Sequence, residues 1–325
     1  MPAPTERSFE AVRQGRIHDA FKILCDAADH NDPAAAYTLA SWRMSGDLIR
    51  RDLTEAQRLY GIAAKHQYKD AEHIFLALLS TGAGGSPRRW NEAISLMRNS
   101  QMPAYRDELR LLAAMDIDDK GDPETIAQRE AVRSEPNIWA IRGFLSASEC
   151  RYLIDLSKPQ LRDSVVVNPA TGALMKDPIR NSRAATFPFV RENAVLHAIN
   201  RRIAAATNST YEQGEPTQIL AYDTGQQYKS HLDTLPNTAN QRKFTFLVYL
   251  NDDYSGGETQ FNAIQWSFKG KPGDALLFQN IDHTGQPCPL SVHAGCPVQS
   301  GTKYLLSKWI RERPLDLEGP PGRPF

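Results

Sequence analysis

Residues 231–261 read HLDTLPNTANQRKFTFLVYLNDDYSGGETQF. The run FTFLVYL is rich in β-branched and aromatic residues and ends at Asn, Asp and Gly, which predicts a buried strand closed by a turn. Just ahead of it, His231 and Asp233 flank one leucine. In an extended segment residues i and i+2 point to the same side. An imidazole and a carboxylate so placed are able to ligate one ion. The spacing alone decides little, because the chain contains a second such triplet, His30-Asn31-Asp32. That copy falls between two helical segments with no ligand-like partner and reads as a surface turn.

A third ligand for the His231 site has three candidates in the β-rich half of the chain. His197 lies on the polar side of a predicted helix, His283 lies in the turn-rich loop NIDHTGQPCP, and His293 opens HAGCPVQSG before the last strong strand. Two histidines and one carboxylate with open positions suit a non-haem Fe(II) oxygenase. A closed zinc site would need more ligands, and none is apparent. The last strand, KYLLSKWI, adds a further constraint. Lys303, Leu305, Ser307 and Trp309 share one face, so Lys303 points inward with apolar neighbours. A lysine buried there needs an anionic partner. Protein carboxylates are one source, and the far carboxylate of a dicarboxylate co-substrate is another.

Working outward, the chain has two textures. Residues 1–117 are rich in Ala and Leu, with apolar residues at helical spacing in DAFKILCDAADH, AAYTLASWRM, EAQRLYGIAAKH, AEHIFLALLS and EAISLMRN. Ala20 precedes Ala56 by 36 residues and Ala56 precedes Ala93 by 37, while Ala27-Ala28 recurs as Ala63-Ala64 and Gly46 as Gly82. Small residues at fixed positions let paired helices approach closely, and such pairs bury their apolar faces by stacking. Residues 118–137 are polar and charged and read as a linker or connecting helix. Residues 138–325 change to short β-type runs split by Gly, Pro and Asn, with two helical stretches, SASECRYLIDLSK and VRENAVLHAINRRIAAAT. Ser146 and Glu149 form a capping signature for the first. Two helices beside about eight strands fit a double-stranded β-helix, or jelly roll, backed by helices. The fold class is therefore multidomain α plus β.

Composition narrows the function. Lys plus Arg equals Asp plus Glu at 38 each, so no global field draws the chain to nucleic acid or to an anionic membrane. No run approaches a membrane span, and the N-terminal residues lack an apolar leader. The four cysteines form no CxxC pair and fit a reducing, cytoplasmic setting, with a bacterial source expected.

The repeat text RRDLTEAQRLYGIAAKHQYKDA resembles a Sel1-like repeat, a relative of the tetratricopeptide repeat, over about residues 6–115. The span from about Ile138 to Arg313 resembles the catalytic domain of prolyl 4-hydroxylase-type 2-oxoglutarate, Fe(II)-dependent dioxygenases. The matching text is AYDTGQQYKSHLD, RKFTFLVYLNDDYSGGETQF, KPGDALLFQN and SVHAGCPVQSGTKYLLSKWIRER. The resemblance implies iron ligation by His231, Asp233 and His293 and anchoring of 2-oxoglutarate by Lys303. It places Tyr222 at a family tyrosine that faces co-substrate or substrate. Tyr249 stands where a tyrosine of the hypoxia-sensing branch helps bind the far carboxylate, and Thr245 shares its face. Gly256-Gly257-Glu258-Thr259 matches the family's GGxT turn and is read as structural.

The implied cofactors are Fe(II), 2-oxoglutarate and O2, and ascorbate is admitted as an accessory. The implied reaction couples decarboxylation of 2-oxoglutarate to succinate with hydroxylation of an unactivated C–H bond, most simply of a prolyl residue in a peptide or protein. A free amino or imino acid such as proline or pipecolate is the alternative substrate class. Its carboxylate would need a cation, which Arg180 or Arg183 in DPIRNSRAATF supplies; Arg180-x-Ser182 also matches a family RxS segment. Against that stands simple pairing of these arginines with acidic residues of the loop. The stretch VVNPATGALMKDPIRN has the composition of a lid. The helical repeats suggest a platform for a protein partner, for peptide substrate or for self-association, or else a cap that only stabilises. A repeat-based interaction protein with an inactive oxygenase domain, and a cupin-like metal protein, are the competing classes.

Overall fold

The computed structural model describes residues 2–82, 87–167, 174–176 and 179–316. Half of the proposed lid stretch falls on 168–173 and 177–178, outside the described residues. The chain forms two compact units, Met1–Asp122 with Phe189–Ala198, and Pro123–Pro188 with Ile199–Leu315.

In the first unit the helices Pro4–Arg13, Ile17–Asp29, Pro33–Ser45, Leu53–Lys65, Ala71–Thr81, Trp90–Asn99 and Pro103–Ala114 each pack on the next in the chain. The repeated small residues explain how. Ala20, Ala56 and Ala93 are each 0% exposed, so no larger side chain would fit between the helix backbones there. Gly46 and Gly82 close their helices at φ 72° and 74°, the left-handed C-cap that a residue with a Cβ resists. The triplet at His30 is indeed a turn. His30 follows the end of one helix, Asn31 sits at φ 62°, and the Asp32 carboxylate accepts the Ala34 and Ala35 N–H groups at the start of the next.

His197 departs from its expected exposure. It is fully buried, with Nδ1 2.8 Å from the Glu192 carboxylate. A polar face that pairs internally has the same sequence pattern as a solvated one, which is why helical periodicity misplaces it.

The second unit is built on an eight-stranded antiparallel sheet in the order Glu130–Ser134, Asn137–Ile141, Ala275–Gln279, Arg242–Tyr249, Lys303–Arg311, Thr217–Tyr222, Arg183–Phe187 and Arg162–Asp163. The first of these strands lies within residues 118–137, so that region is only partly a connection. Its polar EAVRS reads as linker because an edge strand exposes most of its residues. A four-stranded sheet runs Trp266–Phe268, Thr259–Phe261, His293–Gly295, Tyr228–His231. One apolar core takes Leu220, Tyr222, Leu247, Tyr249, Leu276, Phe278 and Leu305 from the large sheet and Phe261 and Phe268 from the small one. Phe261 meets Phe278 edge-on across it, with ring centroids 5.0 Å apart. This is the double-stranded β-helix. The helix Ala147–Ser157 carries the expected capping box, and the second helix spans Ala194–Thr207.

Register aims the polar residues. Lys303 pairs with Tyr222, Leu305 with Leu220 and Tyr249, and Trp309 with Thr245 across the large sheet. In the small sheet His293 lies opposite both His231 and Phe261.

Candidate active site

Two adjacent strands of the small sheet bring His231 and His293 together, with ring centroids 4.4 Å apart. Asp233 follows on the chain, and its carboxylate lies 3.4 Å from His231 Nε2 and 3.5 Å from His293 Nε2. One potential ligand atom from each of the three lies within 4.8 Å of the others. The ring tautomers follow from their second nitrogens. His231 Nδ1 sits 2.8 Å from the Lys229 carbonyl and His293 Nδ1 2.9 Å from the Ser291 carbonyl. A carbonyl only accepts, so each Nδ1 carries a proton, and in the neutral ring each Nε2 then keeps a lone pair. His231 Nε2 is buried and has no hydrogen-bond partner among the described residues. A buried lone pair aimed at a second imidazole and a carboxylate fits a cation between them.

The electrostatics agree. Burial pushes the His293 imidazole below its ordinary value, favouring the neutral, ligating form. Burial alone would raise the Asp233 carboxyl. The His293 and His231 rings, when protonated in the absence of a metal, and the Thr245 hydroxyl outweigh it and hold that carboxyl below the usual carboxylate range. The group is therefore an anion despite being 4% exposed.

These three residues line a cavity together with Arg180, Tyr222, Tyr228, Thr245, Thr259, Lys303, Ser307, Trp309 and a wall of Leu220, Leu247 and Leu305. All four residues of the alternating face of the last strand reach it. Lys303 is 2% exposed and donates to the Gly257 carbonyl at 2.7 Å. No carboxylate pairs with it among the described residues. Burial pushes its ammonium down to about 8. Two of its three N–H donors remain for an anion in the cavity.

The other expected residues divide. Tyr222 lines the cavity, its ring 5.5 Å from Lys303 Nζ. Tyr249 does not. Its hydroxyl donates to the Phe268 carbonyl at 3.0 Å and lies 2.8 Å from Thr259 Oγ1. Since a phenol has one proton, the Thr259 hydroxyl must donate to Tyr249. Thr245 lines the cavity, but its hydroxyl is committed to Asp233 Oδ2 at 2.5 Å. Strand alternation assigned the faces of both residues correctly but could not reveal where their hydroxyls are spent.

Arg180 lines the cavity, its guanidinium 5.3 Å from the Tyr228 ring centroid. Arg183 instead pairs with Asp223 at 2.8 Å, both partly exposed, which is the loop ion pair weighed against substrate binding.

Tyr228 escaped the reading of the sequence, and the contacts of Trp309 and of the glycine pair went beyond it. Tyr228 stacks on His231 with centroids 3.5 Å apart and planes at 19°. Trp309 carries a buried Nε1–H with no partner among the described residues, and the Arg242 guanidinium lies 3.7 Å from its ring centroid. The glycine pair does more than turn the chain. Gly256 and Gly257 have φ of 69° and 72°, and a Cβ on Gly257 would come within 3.2 Å of Lys303 Cδ. The GGxT text was the available signal, because paired glycines beside a buried lysine mark a close backbone approach.

A model of the 2OG-Fe(II) oxygenase superfamily matches residues 217–311, which contain every expected site residue except the two arginines. Among curated proteins, Prolyl 4-hydroxylase 1 of Arabidopsis thaliana is 37% identical over 203 residues, covering 57% of this chain and 72% of that protein. Probable prolyl 4-hydroxylase 10 of the same plant is 32% identical over 244 residues, covering 67% and 84%. A solved viral collagen prolyl hydroxylase from Paramecium Bursaria Chlorella virus-1 is 30% identical, covers 54% of this chain and 95% of that chain, and superposes with a TM-score of 0.43. Members of this superfamily use Fe(II), 2-oxoglutarate and O2, and His231, Asp233 and His293 form a cluster able to hold a metal ion. The chain belongs to the prolyl 4-hydroxylase family of 2OG-Fe(II) dioxygenases.

Proposed function

We propose that this enzyme hydroxylates prolyl residues of a peptide or protein, with His231, Asp233 and His293 as the iron ligands and Lys303 as the anchor for 2-oxoglutarate. The observation that carries the reading is a three-ligand cluster and an unpaired buried ammonium facing one apolar-walled cavity. The relatives' names supply the prolyl substrate. When bound, Fe(II) with 2-oxoglutarate and O2 supplies the oxidant, and the sum is R–H plus 2-oxoglutarate plus O2 giving R–OH, succinate and CO2.

The protein's own groups bind, orient and exclude water. His231 and His293 present fixed Nε2 lone pairs, and Asp233 offers the anionic ligand. Lys303 supplies charge-assisted donors to the far carboxylate, with Tyr222 beside it. Tyr249 acts from behind through Thr259 rather than by its own contact. The leucine wall keeps the reacting centre dry. At the lining, Arg180 and the free Trp309 N–H are donors suited to carbonyl groups of an extended substrate. The helical unit is read as a Sel1-like platform for a protein partner or for the peptide, and the enzyme as cytoplasmic. Its equivalent buried alanines support the repeat reading.

The test is incubation of the Fe(II)-loaded enzyme with 2-oxoglutarate and proline-containing peptides, L-proline or L-pipecolate, following succinate and product mass. A gain of one oxygen on a peptidyl proline is expected. Turnover confined to the free acids would transfer the assignment to the amino-acid class.

A further inference from the structure

We infer that Asn280 and Thr245 form a directed hydrogen-bond relay that sets the orientation of the Asp233 carboxylate, making both of them positioning residues of the metal centre. The inference rests on the reading of Asp233 as an iron ligand. Asp233 lies beyond the end of the short strand Tyr228–His231, so no β-ladder holds it. What holds its side chain comes from the large sheet. Thr245 sits within the strand Arg242–Tyr249, is 1% exposed, and places Oγ1 2.5 Å from Asp233 Oδ2. Behind it, Asn280 Nδ2 lies 2.9 Å from Thr245 Oγ1.

The direction of the relay is forced. The side-chain amide donates only through its nitrogen, so the Thr245 oxygen accepts from Asn280. The single hydroxyl proton then has to point at Asp233, where a carboxylate only accepts. A threonine alone would be free to rotate its proton toward another acceptor; Asn280 removes that choice. Asn280 is itself immobilised. It is 0% exposed, its N–H donates to the Lys243 carbonyl at 2.9 Å, and its own carbonyl accepts from the Cys288 N–H at 2.9 Å. Its side-chain Oδ1 is buried and finds no partner among the described residues. The amide is explained if its N–H2 is what the site requires. With one carboxylate oxygen occupied by the hydroxyl, Asp233 is kept from swinging between ligating and non-ligating rotamers.

The experiment measures Co(II) binding by calorimetry to the full-length, metal-free protein, with thermal melts on the same samples. Thr245→Val is expected to weaken Co(II) binding by about 10- to 100-fold. Thr245→Ser, which keeps the hydroxyl, should bind within about threefold of wild type, and Asn280→Ala should fall between the two. Asp233→Ala separates the layers of the argument. If it binds Co(II) like wild type, the ligand assignment itself is wrong. If it loses Co(II) while Thr245→Val and Asn280→Ala bind like wild type, only the relay is overturned. Equal weakening in Thr245→Ser and Thr245→Val would also overturn it, since the hydroxyl would then not matter. Should Thr245→Val fail to fold, Asn280→Ala interrogates the same relay from its far end.

Discussion

Lys303 should be a residue the fold would be more stable without. Its ammonium is 2% exposed, and burial lowers its pKa from 10.5 to about 8. At roughly 1.36 kcal/mol per pH unit, that lowering means that burying the charge costs the metal-free fold about 3 kcal/mol at pH 7. The sign follows from proton counting. Between pH 8 and 10.5 the unfolded chain holds this proton and the folded chain does not, so stability rises with pH across that window. Lys303→Met keeps most of the buried methylenes and removes the charge. It also leaves the Gly257 carbonyl without the donor it now has at 2.7 Å, a loss of about 1–3 kcal/mol. The net expectation for the metal-free variant is a gain of about 0–2 kcal/mol at pH 7 that turns into a loss of about 0–2 kcal/mol by pH 10, as the charge cost disappears and the stranded carbonyl remains. If Lys303 anchors 2-oxoglutarate as proposed, the same change removes a charge-assisted bond of about 1.5–3 kcal/mol, so the KM for 2-oxoglutarate should rise by about 10- to 150-fold. Urea titrations at pH 7 and 9.5, paired with 2-oxoglutarate titrations of turnover, read both effects. A variant that loses more than about 2 kcal/mol at pH 7, with no pH dependence to the difference, would refute the picture of an unpaired buried cation.

Three further expectations follow from neighbouring contacts. Gly257→Ala forces a Cβ into left-handed backbone and against Lys303 Cδ at 3.2 Å. It should cost about 1–2 kcal/mol in thermal stability and raise the KM for 2-oxoglutarate, and unchanged values for both would contradict the role given to the turn. Tyr249→Phe strands the Phe268 carbonyl and the Thr259 hydroxyl, so chemical denaturation should show a loss of about 1–3 kcal/mol with little change in 2-oxoglutarate affinity. The reverse pattern would mean that the phenol reaches the co-substrate after all. Arg183→Ala breaks a partly exposed ion pair and should alter stability by less than about 1 kcal/mol. Arg180→Ala removes a cavity-lining cation and should raise substrate KM by about tenfold or more, and steady-state kinetics on a peptide would show equal effects if this distinction were mistaken.

What could be read from the sequence was what short periodicity encodes. Alternation placed Lys303, Leu305, Ser307 and Trp309 on one face, and the two-residue step from His231 to Asp233 put an imidazole beside a carboxylate. Near-equal spacing of alanines marked three fully buried helix positions. What stayed hidden depends on residues distant in sequence. Nothing near Tyr249 announces that Phe268 and Thr259 consume its hydroxyl, and nothing near Thr245 announces Asn280. The resemblance, not periodicity, chose His293 over His197 and His283. In the structure His197 is spent on Glu192 and His283 lies exposed in a turn. The strand Glu130–Ser134 was missed because its side chains are mostly solvated, leaving pairing with Asn137–Ile141 as its only signature.

The central claim is tested most directly by anomalous diffraction from crystals grown without oxygen in Co(II) and 2-oxoglutarate. One metal peak at bonding distance from His231 Nε2, His293 Nε2 and an Asp233 carboxylate oxygen, with the far carboxylate of the keto acid against Lys303 Nζ, is the result expected. A metal bound elsewhere, or a keto acid whose far carboxylate ignores Lys303, would contradict it.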